Sequence, residues 1–324
     1  MASLNFYAQR QFSPRKKPQF SQGLLGNCAI SPLTGISFTA EQWQYGLRYF
    51  HHSGVGISNL KTLSIITVTY RDVAGLQRTL ASLRAIPKDF SWEWVISDSS
   101  PELTAPLQAD LAQFPVKYGS APPKGIYSAM NEALGRAEGK YFWFLNGGDE
   151  LAQFSVLRDA LAQAEKDQAL FCFCAVGIME DGKKVRTLPA PRNPWRQFWG
   201  INRICHQGVL CHRETFQAGG FETQWKITAD YLHFLKWQPK SPKVSVFTGE
   251  LANFHRGGTS DRLWPALKEF GYLHLSNGAQ VGYFSRLFHL LIWGWFCGFL
   301  GLKRFFLHLP GGNRIKVLYN ALRQ

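Results

Sequence analysis

Acidic residues are missing from both ends of the chain. Residues 1–40 hold Arg10, Arg15, Lys16 and Lys17 with no Asp or Glu, and residues 271–324 hold Arg286, Lys303, Arg304, Arg314, Lys316 and Arg323, again with no acid. The net charge of +14 is therefore mostly terminal, and the middle of the chain is nearly balanced. A nucleic-acid-binding body needs its basic residues clustered on the folded part, so that class is disfavoured. Nucleotide-fold fingerprints are missing too. No G-x-G-x-x-G follows the first apolar strand, Gly54-Val55-Gly56 precedes it, and no P-loop occurs anywhere. The six cysteines follow no framework spacing, and Arg10, Arg15, Lys16 and Lys17 break up the first apolar stretch where a secretory leader would lie. A reducing, cytoplasmic compartment is expected. Cys205-His206 and Cys211-His212 lack finger or ribbon spacing, so buried thiols on a strand and turn are expected rather than zinc. Internal repeats are absent.

What is present is enough apolar residue to build a core: 45% of the chain is hydrophobic and 18% charged. Residues 1–60, rich in Ser, Gly, Gln and Pro, read as a loosely ordered extension with a short helix near Glu41–Phe50. Order is expected from "LSIITVTY" (63–70), a β-branched run buried on both faces. In the following "DVAGLQRTLASLRAI", Leu76, Leu80 and Leu83 fall on one helical face and Asp72 is the expected N-cap. "SWEWVISDSS" is a second strand ending at Asp98, "VKYGS" a third, and "GIYSAMNEALGRAEG" a helix stopped by Gly139. Strands alternating with helices at these spacings predict an α/β fold, a mostly parallel sheet with helices on both faces. Ligands then bind beyond the carboxyl ends of the strands, where Thr69-Tyr70, Asp98 and the "NGGD" of residues 146–149 fall.

The segment "KYFWFLNGGDE" (140–150) is the sharpest local signal. An apolar strand stops on Asn146, two glycines and Asp149, which is either a plain turn or the floor of a site approached closely by its ligand. Six segments in order decide between these readings: "LSIITVTYRDVAGLQRTLASL", "EWVISDSS", "KGIYSAMNEALGRAEGKYFWFLNGGDEL", "ICHQGVLCHRETFQAGGF", "KITADYLHFLKW" and "FHRGGTS". Together, over residues 61–262, they resemble the family 2 glycosyltransferases of GT-A (Rossmann-like) fold, in particular those assembling bacterial exopolysaccharide, including the colanic-acid type, and lipopolysaccharide.

The resemblance implies an inverting enzyme that moves a sugar from a nucleotide-diphosphate donor, UDP favoured, to a lipid-linked or oligosaccharide acceptor in surface polysaccharide biosynthesis. It implies a divalent cation, Mg²⁺ or Mn²⁺, at the diphosphate, with Asp149 as ligand where the family has its D-x-D-like motif and His255 as a second candidate. Asn146 stands where the family has an acid. Thr69, Asp98, Lys124, Gly125, Asn146 and Arg256 are the implied donor-binding residues: Thr69 and Asp98 at the nucleoside, the others toward the diphosphate. Lys124 and Gly125 precede a helix whose N-terminus favours an anion. His206 and Gln207 match the family's "HQ" and are expected in the acceptor or sugar pocket. Asp230 aligns with the catalytic acid of the family's E-D motif and is the expected base, with Ala229 in place of the companion acid. Two other classes compete. A nucleotidyltransferase would want a Gly- and Arg/Lys-rich loop after the first strand, which "TYRDVAG" lacks, and a degenerate, non-catalytic binding member would explain Asn146 and Ala229.

The remaining segment, 263–324, reads as a helical, basic and aromatic tail, amphipathic and hydrophobic. "LFHLLIWGWFCGFLGL" (287–302) is 16 residues without formal charge. As a helix it reaches about 24 Å, short of a hydrocarbon core of roughly 30 Å. Its tryptophans and flanking Arg and Lys suit the headgroup boundary, so an anionic membrane surface is the expected partner and peripheral attachment to the inner face of the plasma membrane the expected location.

Overall fold

The structure is a computed structural model that describes residues 61–194 and 204–257, and residues 268–270, 273, 287, 290, 291, 294, 295 and 298 of the C-terminal region. The expected N-terminal extension with its helix near Glu41–Phe50, and most of the tail including Arg286, Trp293, Lys303 and Arg304, lie outside the described residues.

The first β–α–β unit follows the sequence closely. Strand β1 (Leu63–Thr69) is buried at every position, and its side chains alternate between two apolar clusters, Leu63 and Ile65 in one and Ile66 and Val68 in the other. Its two inner polar residues are satisfied internally: Thr67 Oγ1 donates to Leu145 O at 2.7 Å and Ser64 Oγ to Glu93 Oε1 at 2.6 Å. Helix α1 (Val73–Leu83) starts at Asp72, whose side chain accepts from the Gly75 N–H at 2.8 Å. It buries Leu76, Leu80 and Leu83 in the first cluster. Strands β2 (Trp92–Asp98) and β3 (Val116–Ser120) follow, separated by short helical turns at Pro101–Thr104 and Gln108–Leu111.

Helix α2 (Ile126–Leu134) leads into β4 (Tyr141–Phe144), after which come the short β5 (Glu150–Leu151) and helix α3 (Phe154–Asp167). Then follow β6 (Phe171–Glu180), β7 (Lys183–Leu188), β8 (Val209–His212), helix α4 (Ala229–Trp237) and β9 (Val244–His255). The strands form one sheet ordered β3-β2-β1-β4-β8-β6-β9-β5, with β7 paired to β6. Pairing is parallel through β3-β2-β1-β4 and again between β6 and β9, and antiparallel where β8, β5 and β7 join. Helices α1 and α3 cover one face, and α2 and α4 cover the other. The mostly parallel α/β sheet with helices on both faces is the expected architecture.

One boundary differs from expectation. Helix α2 ends at Leu134, not at Gly139. Gly139 serves the sheet instead: a Cβ there would sit 2.4 Å from the Ser64 backbone nitrogen, and its own N–H donates to Ser64 Oγ at 2.7 Å. Only a residue without a side chain lets the chain pass β1 that closely.

Candidate functional site

The strand β4 ends in a turn built from inside the protein. Leu145 and Gly147 still donate to Ile66 O and Val68 O, so the chain runs alongside β1 to its end. At Gly147 a Cβ would stand 3.2 Å from the Thr69 side chain, and Gly148 adopts φ +104°, a conformation that favours glycine. Thr79 of α1 holds the turn from below, donating to Asp149 O at 2.7 Å and accepting from Gly148 N at 3.0 Å. Gly148 is thus required by the turn itself and Gly147 fits closely under Thr69, and the turn delivers Asp149 to the carboxyl end of the sheet.

Asp149 is buried, 4% exposed. Its Oδ2 accepts from Gln207 Nε2 at 2.8 Å and its Oδ1 from the His255 backbone N–H at 3.1 Å. Burial pushes its carboxyl up to about 6, against the lowering effect of those two hydrogen bonds. Gln207 is itself fixed: Cys205 Sγ donates to its Oε1 at 2.8 Å, and Trp143 Nε1 donates to its carbonyl at 2.7 Å. The thiol therefore keeps the amide N–H aimed at Asp149.

His206 and Gln207 occupy a single-turn 3-10 helix, His206–Gly208, and point to different carboxylates. While Gln207 meets Asp149, His206 Nδ1 lies 3.0 Å from Asp230 Oδ2 and its Nε2 lies 3.2 Å from Asn146 Nδ2. Asp230 sits in the first turn of α4, where its Oδ1 accepts from the Tyr231 N–H at 2.8 Å. The Tyr127 hydroxyl of α2 lies 2.8 Å from the same oxygen and 2.7 Å from Ile227 O. Burial works to raise the Asp230 carboxyl, but hydrogen bonds and charge from His206, with the Tyr127 bond, more than offset it and hold it below the ordinary value. Burial and the neighbouring Asp230 push the Tyr127 phenol well up, so it remains a hydrogen-bond donor.

Two of the three carboxylates singled out from sequence, Asp149 and Asp230, are thus joined through one dipeptide. Residues that sequence reasoning missed are Tyr127, Thr79 and Cys205, which hold this network, and Glu150, which takes the His255 ring. A polar threonine between Leu76, Leu80 and Leu83 on an apolar helix face was the available signal for Thr79. Tyr127 carried none, because its partners Ile227 and Asp230 are distant in sequence, and Cys205, two residues from Gln207, carried no pattern that told a hydrogen-bonding thiol from a buried one.

The remaining candidates divide. Asp98 is fully buried and its oxygens are taken: Oδ1 accepts from Ser100 N at 2.7 Å and Ser100 Oγ at 3.1 Å, and Oδ2 from Tyr118 OH at 2.7 Å and from Thr104 Oγ1. That is an Asx-type turn, and Asp98 organises the ends of β2 and β3 through these partners. Thr69 gives its carbonyl to Ser99 N at 3.0 Å, while its buried hydroxyl has no partner, a group at the strand end still open for a bond. Asn146 likewise has an unpartnered, buried Oδ1. Lys124 is exposed, and Gly125, at φ +107° with open space around it, starts α2. The His255 ring bonds Glu150 Oε2 at 2.6 Å, beside Asp149. Arg256 is turned to the surface in an ion pair with Glu180. Among the described residues no group of three or more His, Cys, Asp or Glu side chains is arranged to hold a metal ion.

Comparison with known proteins identifies the family to which this fold belongs. A family model described as glycosyl transferase family 2 matches residues 64–262. Uncharacterized glycosyltransferases from two strains of Mycobacterium tuberculosis, CDC 1551 / Oshkosh and ATCC 25618 / H37Rv, are each 32% identical over 107 residues, 32% of this chain. The match covers 40% of the length of those relatives. Among solved structures, S. aureus TarS 1-349 in complex with UDP superposes with a TM-score of 0.50 at 17% identity, over 66% of this chain and 65% of that one. The same protein in complex with UDP-GlcNAc gives 0.51 at 17% identity, over 66% of each chain. The structural likeness is one of fold. The family model spans the sheet from β1 to β9 and every residue of the Asp149–Gln207–His206–Asp230 network: the chain belongs to glycosyl transferase family 2, a family of transferases.

Proposed function

We propose that the protein is an inverting glycosyltransferase that moves a sugar from a nucleotide-diphosphate donor to a glycan acceptor. The observation that carries this reading is the His206–Gln207 turn, which ties a buried carboxylate at the end of β4 to a second carboxylate at the start of α4. Inversion needs two functions on opposite sides of the sugar carbon: stabilisation of the leaving diphosphate, and a base for the incoming hydroxyl.

Asp230 is the base. Held ionised by His206 and Tyr127, it accepts the proton of the acceptor hydroxyl as that oxygen attacks the anomeric carbon. His206 orients the carboxylate and shares its charge. The donor lies along the carboxyl ends of β1, β2 and β4, with the open hydroxyl of Thr69 and the Asp98–Tyr118–Ser100 cluster framing the nucleoside. Asn146 and the start of α2 at Lys124-Gly125 face the diphosphate. Arg256 reaches the diphosphate only by releasing Glu180.

A divalent cation fits Asp149, because burial pushes its carboxyl up to about 6 against two hydrogen bonds and the weaker pull of His206 and His255, so an added positive charge would favour the ionised form. Asp149, with His255 as a second ligand once released from Glu150, would hold it, the diphosphate and water supplying the remaining positions. Such an ion would neutralise charge on the departing diphosphate. UDP is the favoured nucleotide, in keeping with the complexes of TarS. The acceptor is a lipid-linked glycan of surface polysaccharide, and the C-terminal segment 263–324 attaches the catalytic domain, 61–262, to an anionic membrane surface. Leu287, Leu290, Leu291 and Trp295 support that attachment, since they share one helical face and are all exposed. Among the described residues no helix is long and apolar enough to cross a membrane.

The test is a thermal-shift screen of UDP, GDP and dTDP with and without Mn²⁺, followed by turnover of the matching nucleotide sugars. A metal-dependent shift with one nucleotide and turnover of its sugar is the expected result. Binding without turnover would favour the degenerate member suggested by Asn146 and Ala229.

A further inference from the structure

The turn that precedes Asp230 is gripped by a residue from outside the family region. Glu269 lies in the short helical stretch 268–270, beyond the matched residues 64–262. Its Oε1 accepts from the Lys226 N–H at 2.9 Å. Its Oε2 accepts from the Ile227 N–H at 2.9 Å, the Thr228 N–H at 3.1 Å and Thr228 Oγ1 at 3.0 Å. Three successive backbone N–H groups converging on one anion form a nest, and a carboxylate satisfies it with charge-assisted bonds. These N–H groups precede helix α4, so without Glu269 they would need water or another anion.

The docking is backed by packing. Phe270 meets Tyr231 edge-on at 5.1 Å, and Leu273 is fully buried in the cluster under α4. The gripped turn also carries Ile227 O, which lies 2.7 Å from the Tyr127 hydroxyl, and that hydroxyl has a single proton to divide between Ile227 O and Asp230. The position of the turn therefore sets how Tyr127 and the Asp230 carboxylate face each other.

We propose that Glu269 is a positioning residue for Asp230: the segment after the family domain locks the 226–228 turn and thereby completes the catalytic end of α4. This rests on Asp230 acting as the base. Consequently, anything that lifts Glu269, Phe270 and Leu273 off the domain lowers turnover without touching the donor pocket.

The experiment uses the full chain and UDP-GlcNAc, or whichever of a UDP-, GDP- and dTDP-sugar panel the wild type consumes fastest. Glu269→Gln keeps the shape and one acceptor oxygen but loses the charge. Its kcat should fall about tenfold to a hundredfold with donor KM unchanged. In an Asp230→Asn background the same change should cost almost nothing further, because both act through one group. A purely structural role would instead add its full cost to Asp230→Asn and raise KM. Amide hydrogen exchange at residues 226–228 should accelerate in Glu269→Gln. Wild-type kcat in Glu269→Gln, or full additivity with Asp230→Asn, overturns the proposal. A fully active Asp230→Asn overturns the base assignment instead. If no sugar nucleotide is consumed by the wild type, the functional reading fails, and exchange alone decides whether Glu269 holds the turn: unchanged protection overturns it. Should Glu269→Gln not fold, Glu269→Asp replaces it, keeping the charge on a shorter arm. It should lower kcat with KM unchanged, and a wild-type kcat there overturns the proposal.

Discussion

Asp149 and Asp230 are both buried carboxylates, and their surroundings push them in opposite directions. Asp149 has two hydrogen bonds and weaker help from His206 and His255, but burial outweighs them and its carboxyl rises to about 6. Asp230 has His206, Tyr127 and a backbone N–H, and these overcome burial. A separation of this kind assigns roles. Asp230→Asn keeps the shape but cannot take a proton, so turnover should fall by ~10²–10⁴ with donor binding little changed. Isothermal titration of the nucleotide beside initial rates checks this, and a parallel loss of affinity would make Asp230 a binding residue. For Asp149 the sign of the pH effect is opposite to that of a salt-bridged acid. Its folded value lies above the ordinary 3.8, so its contribution to stability is full below about 4 and is lost as pH rises through about 6. The loss is on the order of 3 kcal/mol at full ionisation. Urea midpoints in EDTA should fall between pH 4 and pH 7, and Mn²⁺ should restore the pH 7 value by favouring the ionised form. A midpoint unmoved by pH and by Mn²⁺ would remove the metal assignment. Asp149 stood out in the sequence because it closes an apolar strand behind two glycines, and Asp230 only through the family resemblance of "KITADYLHFLKW". The hydrogen-bond partners that set their ionisation come from residues far away in the chain, where no local pattern points.

At the scale of elements, periodicity in the sequence located the strands and helices, and tertiary contacts moved their ends. β1 and α1 carry their own signals, an eight-residue β-branched run and a capping Asp before a leucine face, and both form as expected. Gly139 has the look of a helix stop, yet the helix ends sooner and the glycine is spent on a close approach to Ser64. Gly139→Ala should therefore destabilise the fold by about 1–3 kcal/mol through overpacking against backbone. Its chemistry should be intact in the molecules that remain folded. Thr79→Val is the complementary case. It preserves the volume of α1 but removes the hydroxyl beneath the Asn146–Asp149 turn, at a cost of about 1–3 kcal/mol for the groups left unpaired. Denaturant midpoints and Mn²⁺ titrations should both fall for Thr79→Val, whereas only the midpoint should fall for Gly139→Ala. Equal Mn²⁺ affinities in the two variants would show that Thr79 merely packs.

The charge distribution and the apolar face of the C-terminal region meet at the scale of the whole molecule. The acid-free segment 271–324 carries six basic residues, and the described part of it exposes Leu291 at 65% and Trp295 at 72%. A helix with an apolar face outward and basic residues along the same segment matches an anionic interface, where apolar insertion and charge attraction add. The wild type should pellet with vesicles containing anionic lipid and be released in part by salt, because screening weakens the charge term and leaves the apolar one. Alkaline carbonate should extract it without detergent if nothing crosses the bilayer. Leu291→Glu with Trp295→Glu places two charges on the exposed face and should abolish vesicle binding, while transfer to a soluble acceptor analogue stays within about twofold of wild type, since exposed substitutions cost little stability. Carbonate resistance of the wild type would mean that the segment spans. Loss of folding in the double variant would mean that this face packs against protein. In the second event the lipid-facing role would be lost, and the acceptor would have to reach Asp230 from solution; in the first, the interfacial reading would give way to a span.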